Sequence, residues 1–138
     1  MTDLQQRIGN SFNAQGLMAT LGAQLASVAA GEVQIALPFS TRLSQQHGYL
    51  HAGATTSILD SACGYAALTK APAGREVVSV EFKINLLRPA IGEHFLAIGR
   101  VQNAGRTLII CNGEVVAINA GQRKVVALMQ ATMMVVAA

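Results

Sequence analysis

The sequence predicts an α+β fold in which one long helix covers one face of a single antiparallel sheet. Two observations support this prediction. Residues 54–70 form an uninterrupted, mostly apolar segment of small side chains that stops before Pro72 and Gly74, as a helix would. After this segment, apolar and polar residues alternate, which is the period of a strand with one buried face. The length of 138 residues predicts a single domain over residues 1–138.

The segment before the long helix is predicted to contain a short helix, a hairpin and a loop. Residues 21–28 and 32–38 flank a turn at residues 29–31 and form the strands of the hairpin. Residues 40–53 form a polar loop with two glycines. A helix over residues 3–19 comes first, with an apolar side that consists of Leu4, Ile8, Phe12 and Leu17.

Four strands are predicted after the long helix, at residues 77–87, 93–102, 106–118 and 124–136. The first of them alternates strictly, which indicates a half-buried antiparallel strand. Its buried face is predicted to hold Val78, Val80, Phe82, Ile84 and Leu86. Its polar face is predicted to hold Ser79, Glu81, Lys83 and Asn85.

The composition argues against several classes of function. Only 12% of the residues are charged and 51% are hydrophobic, which predicts that part of the surface is buried in a permanent oligomer. The net charge of +3, without a platform of aromatic and basic side chains, argues against nucleic-acid binding. No apolar run reaches about 18 residues, so no membrane span is expected.

Cysteine usage and the first residues of the chain indicate a cytoplasmic protein. Cys63 and Cys111 stand alone, with neither a CxxC pair nor a zinc-type spacing to histidine. We therefore expect free thiols and no metal site. The first ten residues include Asp3 and lack the apolar stretch of a secretion signal.

The segment from residue 51 to 67, HAGATTSILDSACGYAA, contains the residues with the strongest chemical signal. A histidine and a glycine precede a helix of very small side chains, and Asp60 stands alone in its apolar part. The N–H groups near Ala52, Gly53 and Ala54 should be unpaired, so they are candidate donors to a developing oxyanion. Gly64 costs helix propensity, which predicts the close approach of another backbone.

The order of these pieces resembles the hotdog-fold acyl-CoA thioesterases of the phenylacetic-acid-degradation type. The matching pieces are His51–Ala52–Gly53 with Asp60 nine residues later, the strand SVEFKINLLRPA (79–90) and the turn Gly105–Arg106. The resemblance implies a long central helix wrapped by a curved antiparallel sheet of about six strands. It also implies hydrolysis of an acyl-CoA or aryl-acyl-CoA thioester, with coenzyme A as part of the substrate and no separate cofactor.

The resemblance assigns roles to the residues of this segment. Asp60 activates water or attacks the thioester directly, and Ser79 helps to hold the water beside it. Ala52 stands where relatives have glycine, but it keeps the backbone N–H that a donor needs. Gln45 stands where many relatives have asparagine, and its longer amide can still donate a hydrogen bond. His51 is interpreted as a residue that shapes the turn.

Distance along the helix predicts that the site is shared between two chains. Asp60 lies six residues beyond the expected helix start, or roughly 9 Å at about 1.5 Å per residue. One helix can hardly bring both its N-terminus and its own carboxylate to one carbonyl carbon. We therefore expect a homodimer with composite sites, and relatives imply further pairing into a homotetramer.

Other residues are candidates for substrate binding. Arg88, Arg106 and Lys83 are candidates for the phosphates of coenzyme A, because arginine and lysine bind phosphate by charge. Four residues are candidates for the lining of the acyl pocket: Tyr65, Leu59, Phe82 and Met129.

Two other functions remain open at this point. One is a non-catalytic hotdog module that binds acyl-CoA. The other is a hotdog hydratase or dehydratase, in which His51 and Asp60 would converge on the acyl chain. A Cys63–His51 nucleophile is disfavoured, because twelve residues separate the two and Cys63 should be buried.

Overall fold

The computed structural model describes residues 1–138 and confirms the predicted fold class. Six antiparallel strands form one sheet in the order β1-β2-β4-β5-β6-β3, and one long helix packs against it. The helices are α1 (Asp3–Asn13), α2 (Gly16–Leu21) and α3 (Ala52–Leu68). The strands are β1 (Gln24–Ala29), β2 (Glu32–Pro38), β3 (Arg75–Leu86), β4 (His94–Ala104), β5 (Leu108–Asn119) and β6 (Gln122–Ala137). None of the helices combines the length and apolar character that a membrane crossing requires.

The prediction of one helix over residues 3–19 is wrong. A capping box formed by Thr2 and Gln5 starts α1, and extended backbone at Gln15 (φ −85°, ψ 109°) separates it from α2. The break changes the orientation of the second helix, so Met18 is buried and Leu17 is 51% exposed. Because α2 extends to Leu21, β1 begins three residues later than predicted.

Arg7 connects α1 to the end of the long helix. Its guanidinium donates to four carbonyl oxygens at the end of α3 and in the following turn, those of Leu68, Ala71, Pro72 and Arg75, at 2.7–3.3 Å. Helix ends leave such carbonyls without partners, and a planar guanidinium can bind several of them at once. This side chain therefore fixes α1 against the α3–β3 turn.

The long helix lies on the sheet at a pair of glycines. Gly99 of β4 and Gly113 of β5 face each other across the strands. A Cβ at Gly99 would overlap the carbonyl group of Ala62, and one at Gly113 would lie 2.7 Å from Cδ1 of Leu59. The close backbone approach that we expected at Gly64 occurs at these two positions instead, and space next to Gly64 is open.

A bulge in β3 changes which side chains face the helix. Ser79 pairs with Met133, but Glu81 pairs with Thr132, so Val80 is an extra residue between them. Before the bulge odd-numbered residues point toward α3, and after it even-numbered ones do. The predicted two-face assignment is therefore wrong for Ser79, which shares the helix-facing side with Phe82 and Ile84.

The prediction that β3 is half-buried is also wrong for the single chain. β3 lies at the edge of the sheet and pairs only with β6. Val78, Phe82 and Leu86 are 43–53% exposed, although they are large and apolar. A long, apolar edge strand of this kind presents unpaired backbone groups and apolar side chains that can pair with another chain.

We expect the contact at Gly99 to control stability. Gly99→Ala should lower the free energy of unfolding by about 1–3 kcal/mol or more, because its Cβ overlaps helix backbone that cannot move alone. Gly9→Ala is the matched control: Gly9 lies in α1 with open space around it, and the change should stabilise by up to about 1 kcal/mol. Urea unfolding at one protein concentration measures both. Equal midpoints for the two variants would contradict the contact.

Candidate active site

Six of the nine predicted site residues line two separate cavities of the chain. A cavity of about 480 Å³ surrounds the start of α3 and includes Gln45, His51, Ala52 and Arg88 in its lining. A second cavity, of about 220 Å³, includes Asp60 and Ser79. No residue lines both cavities. We call the first the donor cavity and the second the acid cavity.

The start of α3 leaves one backbone donor free in the donor cavity. His51 is the N-cap, and its Nδ1 accepts the N–H of Gly53 at 2.7 Å. The N–H of Ala54 donates to the carbonyl oxygen of His51 at 2.9 Å. Our expectation that all three N–H groups are unpaired is thus wrong for Gly53 and Ala54, and only the N–H of Ala52 has no partner.

His51 caps the start of α3. Its ring nitrogen caps the helix, and its own backbone N–H donates to the carbonyl oxygen of Leu43 at 2.9 Å. Because Nδ1 accepts a hydrogen bond, the neutral imidazole carries its proton on Nε2. The side chain therefore holds Gly53 and Ala52 in the geometry of the first helical turn.

Gln45 supplies a second donor next to Ala52. Its Oε1 accepts the backbone N–H groups of His47 at 2.6 Å and of Tyr49 at 3.2 Å. These two bonds identify the oxygen and fix the orientation of the amide, which leaves the Nε2 group without a partner in the chain. The donor cavity thus contains the free backbone N–H of Ala52 and the free side-chain amide of Gln45.

Asp60 and Ser79 are brought together by the bulge in β3. The hydroxyl of Ser79 donates to Oδ1 of Asp60 at 2.7 Å, while Oδ2 has no partner in the chain. This contact needs Ser79 on the helix-facing side, which strict alternation did not predict. Asp60 is half-buried rather than fully enclosed by the alanines around it.

The structure increases the separation that argued for a shared site. The helix starts at Ala52, so Asp60 lies eight residues further along it, or roughly 12 Å at about 1.5 Å per residue. The two donors and the carboxylate therefore cannot reach the same carbonyl group within one chain.

The three basic candidates lie in three different places. Arg88 lines the donor cavity, where its Nη1 also donates to the carbonyl oxygen of Val125 at 2.8 Å. Arg106 is exposed in the turn between β4 and β5. Lys83 pairs with Gln130 on the sheet face away from α3 and lines neither cavity. Only Arg88 adjoins predicted site residues within one chain.

Neither cysteine has the surroundings of a nucleophile. Burial raises the pKa of Cys63 far above its usual value, and the nearby Cys111 thiol and Asp60 carboxylate raise it further. Burial also raises the pKa of Cys111 to about 11. Thiols this basic hold almost no thiolate at neutral pH, which argues against the Cys63–His51 pair.

The sequence analysis missed residues that the first two helices contribute to the acid cavity. Ser11 of α1 and Gln15, between α1 and α2, line it together with Ser61 and Tyr65 of α3. Tyr65 was a candidate for the acyl pocket, but Ser11 and Gln15 had no signal beyond their polarity in an otherwise amphipathic segment. Of the other candidate lining residues, Leu59 and Met129 are buried in the core and Phe82 is exposed at the sheet edge.

Six antiparallel strands around one long helix define the hotdog fold, and comparison with known proteins identifies the family. The model of the thioesterase superfamily matches residues 47–123, which is more than half of the chain. The chain therefore belongs to the thioesterase superfamily and is a thioesterase. No curated protein sequence matches the chain.

Solved structures agree with this assignment. A thioesterase family protein from Silicibacter pomeroyi is 41% identical with a TM-score of 0.95, and the match covers 98% of this chain and 99% of that one. A conserved Pseudomonas aeruginosa protein, PA5202, is 28% identical with a TM-score of 0.80 and coverage of 88% and 94%. The Escherichia coli PaaI protein from the phenylacetic acid degradation operon is 22% identical with a TM-score of 0.84 and coverage of 95% and 91%. At that identity the PaaI match bears on the fold alone.

Both thiols should be unreactive in the folded protein. We expect a chromogenic disulfide reagent at neutral pH to titrate neither Cys63 nor Cys111 in the native state and both after unfolding in guanidinium, because both are buried with raised pKa values. Native-state reaction at the rate of free cysteine would contradict their placement. The same measurement sets the background for assays that detect a released thiol.

Proposed function

We propose that the protein hydrolyses an acyl-CoA or aryl-acyl-CoA thioester at a site composed of two chains. The observation that carries this proposal is the separation of two free donors, in one cavity, from a carboxylate with a free oxygen, in another. Thioester hydrolysis needs both kinds of group at one carbonyl carbon. A two-fold axis that places the donor cavity of one chain against the acid cavity of its partner creates two such sites in each dimer.

The edge strand β3 supports such a dimer. It carries Ser79 beside Asp60 in the acid cavity and Leu86 in the lining of the donor cavity, and large apolar residues along it are exposed. A symmetric pair uses the same patch on both chains, so pairing along β3 covers both exposed edges at once. The low proportion of charged residues agrees with this buried interface and with a further pairing of dimers into a tetramer.

The chemistry follows from the partners of each group. Oδ2 of Asp60, which has no protein partner, takes a proton from water as the water oxygen attacks the thioester carbon. Ser79 holds the other carboxylate oxygen and thereby orients Asp60. The N–H of Ala52 and Nε2 of Gln45 in the partner stabilise the oxyanion of the tetrahedral intermediate. The C–S bond then breaks, and coenzyme A leaves as its thiol with the proton from Asp60.

Direct attack by Asp60 through an anhydride is the alternative route to the same products. Single turnover in water labelled with oxygen-18 separates the two routes. Attack by water on the thioester places the label in the product acid during the first turnover. Attack by Asp60, followed by water attack on the Asp60 carbonyl carbon of the anhydride, leaves an unlabelled carboxylate oxygen in the product acid and the label in Asp60.

The coenzyme A part of the substrate is proposed to enter past the donor cavity. Arg88 is the basic residue that lines it and is the first candidate for a phosphate. Arg106 is a second candidate for a phosphate and would come from the other chain of the dimer. Lys83, on the sheet face away from α3, is a candidate if dimers pair into a tetramer. The reaction as proposed uses no cofactor. We also propose a substrate of the phenylacetic-acid-degradation type and a cytoplasmic location. The free thiols of both cysteines support this location.

Asp60→Asn should lower kcat about 10²–10⁴-fold, because it keeps the shape of the side chain but removes the base. The measurement is thiol release from a panel of acyl- and aryl-CoA thioesters. Ser79→Ala should cause a smaller loss, since it frees the carboxylate without removing it. Full activity of Asp60→Asn on every substrate would rule out the mechanism. Hydration of an enoyl-CoA without thiol release would instead favour a hydratase.

Ala52→Pro should remove the oxyanion donor and leave the helix intact. Proline fits the first position of a helix, and ψ of 139° at His51 suits a residue before proline. We expect kcat to fall about 10²–10³-fold with little change in thermal stability. Ala52→Gly, which keeps the N–H group, is the matched control and should retain most activity.

Mixing the two inactive variants tests whether the site is shared. Unfolding and refolding Asp60→Asn with Ala52→Pro in equal amounts gives mixed dimers with one intact site of two. Random pairing should restore about a quarter of wild-type activity. If each chain held a complete site, the mixture would stay as inactive as its components.

A further inference from the structure

Met133 of β6 lies directly beside Ser79 and Asp60. It pairs with Ser79 across β3 and β6, is fully buried, and places its Sδ 3.2 Å from Oγ of Ser79. The same Oγ lies 2.7 Å from Oδ1 of Asp60. An ionised carboxylate and a thioether carry no proton to donate, so Ser79 is the donor in each contact. One hydroxyl proton therefore has two acceptors within reach.

The charge on Asp60 decides which acceptor receives this proton. An ionised carboxylate is a much stronger acceptor than a thioether, so Ser79 donates to Oδ1 while Asp60 is charged. Once Oδ2 takes the proton of the attacking water, Oδ1 becomes the carbonyl oxygen of a neutral acid, and the bond to it weakens. Rotation about the Cβ–Oγ bond of Ser79 then turns the hydroxyl proton toward Sδ of Met133, and no heavy atom needs to move.

We propose that Met133 is a positioning residue for the hydrolysis, and that its thioether stabilises the form of the site in which Asp60 holds the proton. The inference rests on the proposed function and adds a residue to it. Met133 does not line the acid cavity, so it acts through Ser79 rather than on the substrate. Oγ of Ser79 donates to these two partners only. Without the sulfur the hydroxyl has no second acceptor in the chain, and proton transfer to Asp60 becomes less favourable.

Three other titratable groups lie around Asp60. Glu76 of β3 and Tyr65 of α3 line the same cavity, and the Cys63 thiol is close enough to interact electrostatically with Asp60. The first two helices contribute no charge to this cavity, and Nε2 of Gln15 donates to the Tyr65 hydroxyl at 3.0 Å. A change of side chain in β6 alters none of these groups. A shift in the titration of Asp60 after such a change therefore comes from the hydroxyl beside it.

Met133→Leu removes the sulfur and nearly conserves the volume of the side chain, a change that protein cores tolerate. We expect kcat for thioester hydrolysis to fall about two- to fivefold with KM unchanged, because the lost contact is a weak hydrogen bond that the substrate does not touch. Met18→Leu is the matched control: it makes the same change at another buried methionine, in α2, and should leave kcat unaltered. An unaltered kcat in Met133→Leu would overturn the proposal.

Ser79→Ala separates positioning from packing. If Met133 acts through the hydroxyl, adding Met133→Leu to Ser79→Ala should cause no further loss of kcat. A loss as large as in the wild-type background would show a purely structural effect and would overturn the proposal. Biosynthetic replacement of the methionines by norleucine, which has a methylene in place of the sulfur, should reproduce the loss. That measurement decides the matter if Met133→Leu fails to fold.

Carboxyl NMR separates this inference from the proposed hydrolysis, because it needs no substrate. The only aspartates in the chain are Asp3 and Asp60, so labelling aspartate with carbon-13 at Cγ gives two signals, which Asp60→Asn assigns. In Met133→Leu the Asp60 signal should titrate at a pH about 0.3–0.7 units lower, the same two- to fivefold change, because the neutral form has lost its second acceptor. The Asp3 signal should not move. A lower midpoint in a protein that hydrolyses no thioester would support the role of Met133 and overturn the hydrolysis, whereas turnover with equal midpoints would do the reverse.

Discussion

The close contact between α3 and the sheet at Gly99 and Gly113 is the constraint on which the rest of the structure depends. Two facing glycines remove a layer of side chains, so helix backbone lies almost directly on strand backbone. The residues of α3 over this point must be small, which explains the alanines and the cysteine around Ala62. This close backbone contact fixes the position and rotation of α3 on the sheet. The side chains on the flanks of the helix therefore point in fixed directions.

That fixed direction gives Asp60 its surroundings. The carboxylate leaves the helix on the flank toward β3 rather than toward the glycine pair, so it meets a strand that only partly covers it. Ser79 satisfies one oxygen and the other faces the acid cavity. At the start of the same helix, the side chains of His51 and Gln45 accept the N–H groups of Gly53, His47 and Tyr49, while the N–H of Ala52 and Nε2 of Gln45 stay free. Most polar groups near α3 are therefore satisfied within the chain, and the free donors at the helix start and the free oxygen of Asp60 are the exceptions.

The sequence was a good guide wherever local chemistry decides the structure. The small-residue helix, its stop at Pro72 and the strand at Glu32–Pro38 all follow from composition and spacing. The failures have long-range causes. The break at Gln15 depends on packing of Met18, and the close approach falls at glycines in two strands whose pairing no local pattern reveals. The role of Gln15 against Tyr65 likewise depends on contacts across fifty residues of chain.

The extra residue Val80 reverses which residues of β3 face the helix, odd-numbered before the bulge and even-numbered after it. With it, a hydroxyl lies beside Asp60 and apolar side chains follow on the same face after the bulge. Deleting one residue from the bulge would restore strict alternation and place either the hydroxyl or the apolar run on the wrong side of the sheet. In this part of the chain an insertion or deletion therefore alters more chemistry than a substitution does. When relatives are aligned over this strand, residues should be matched by the sheet face that they occupy. A gap shifted by one position would align Ser79 with a residue from the opposite face.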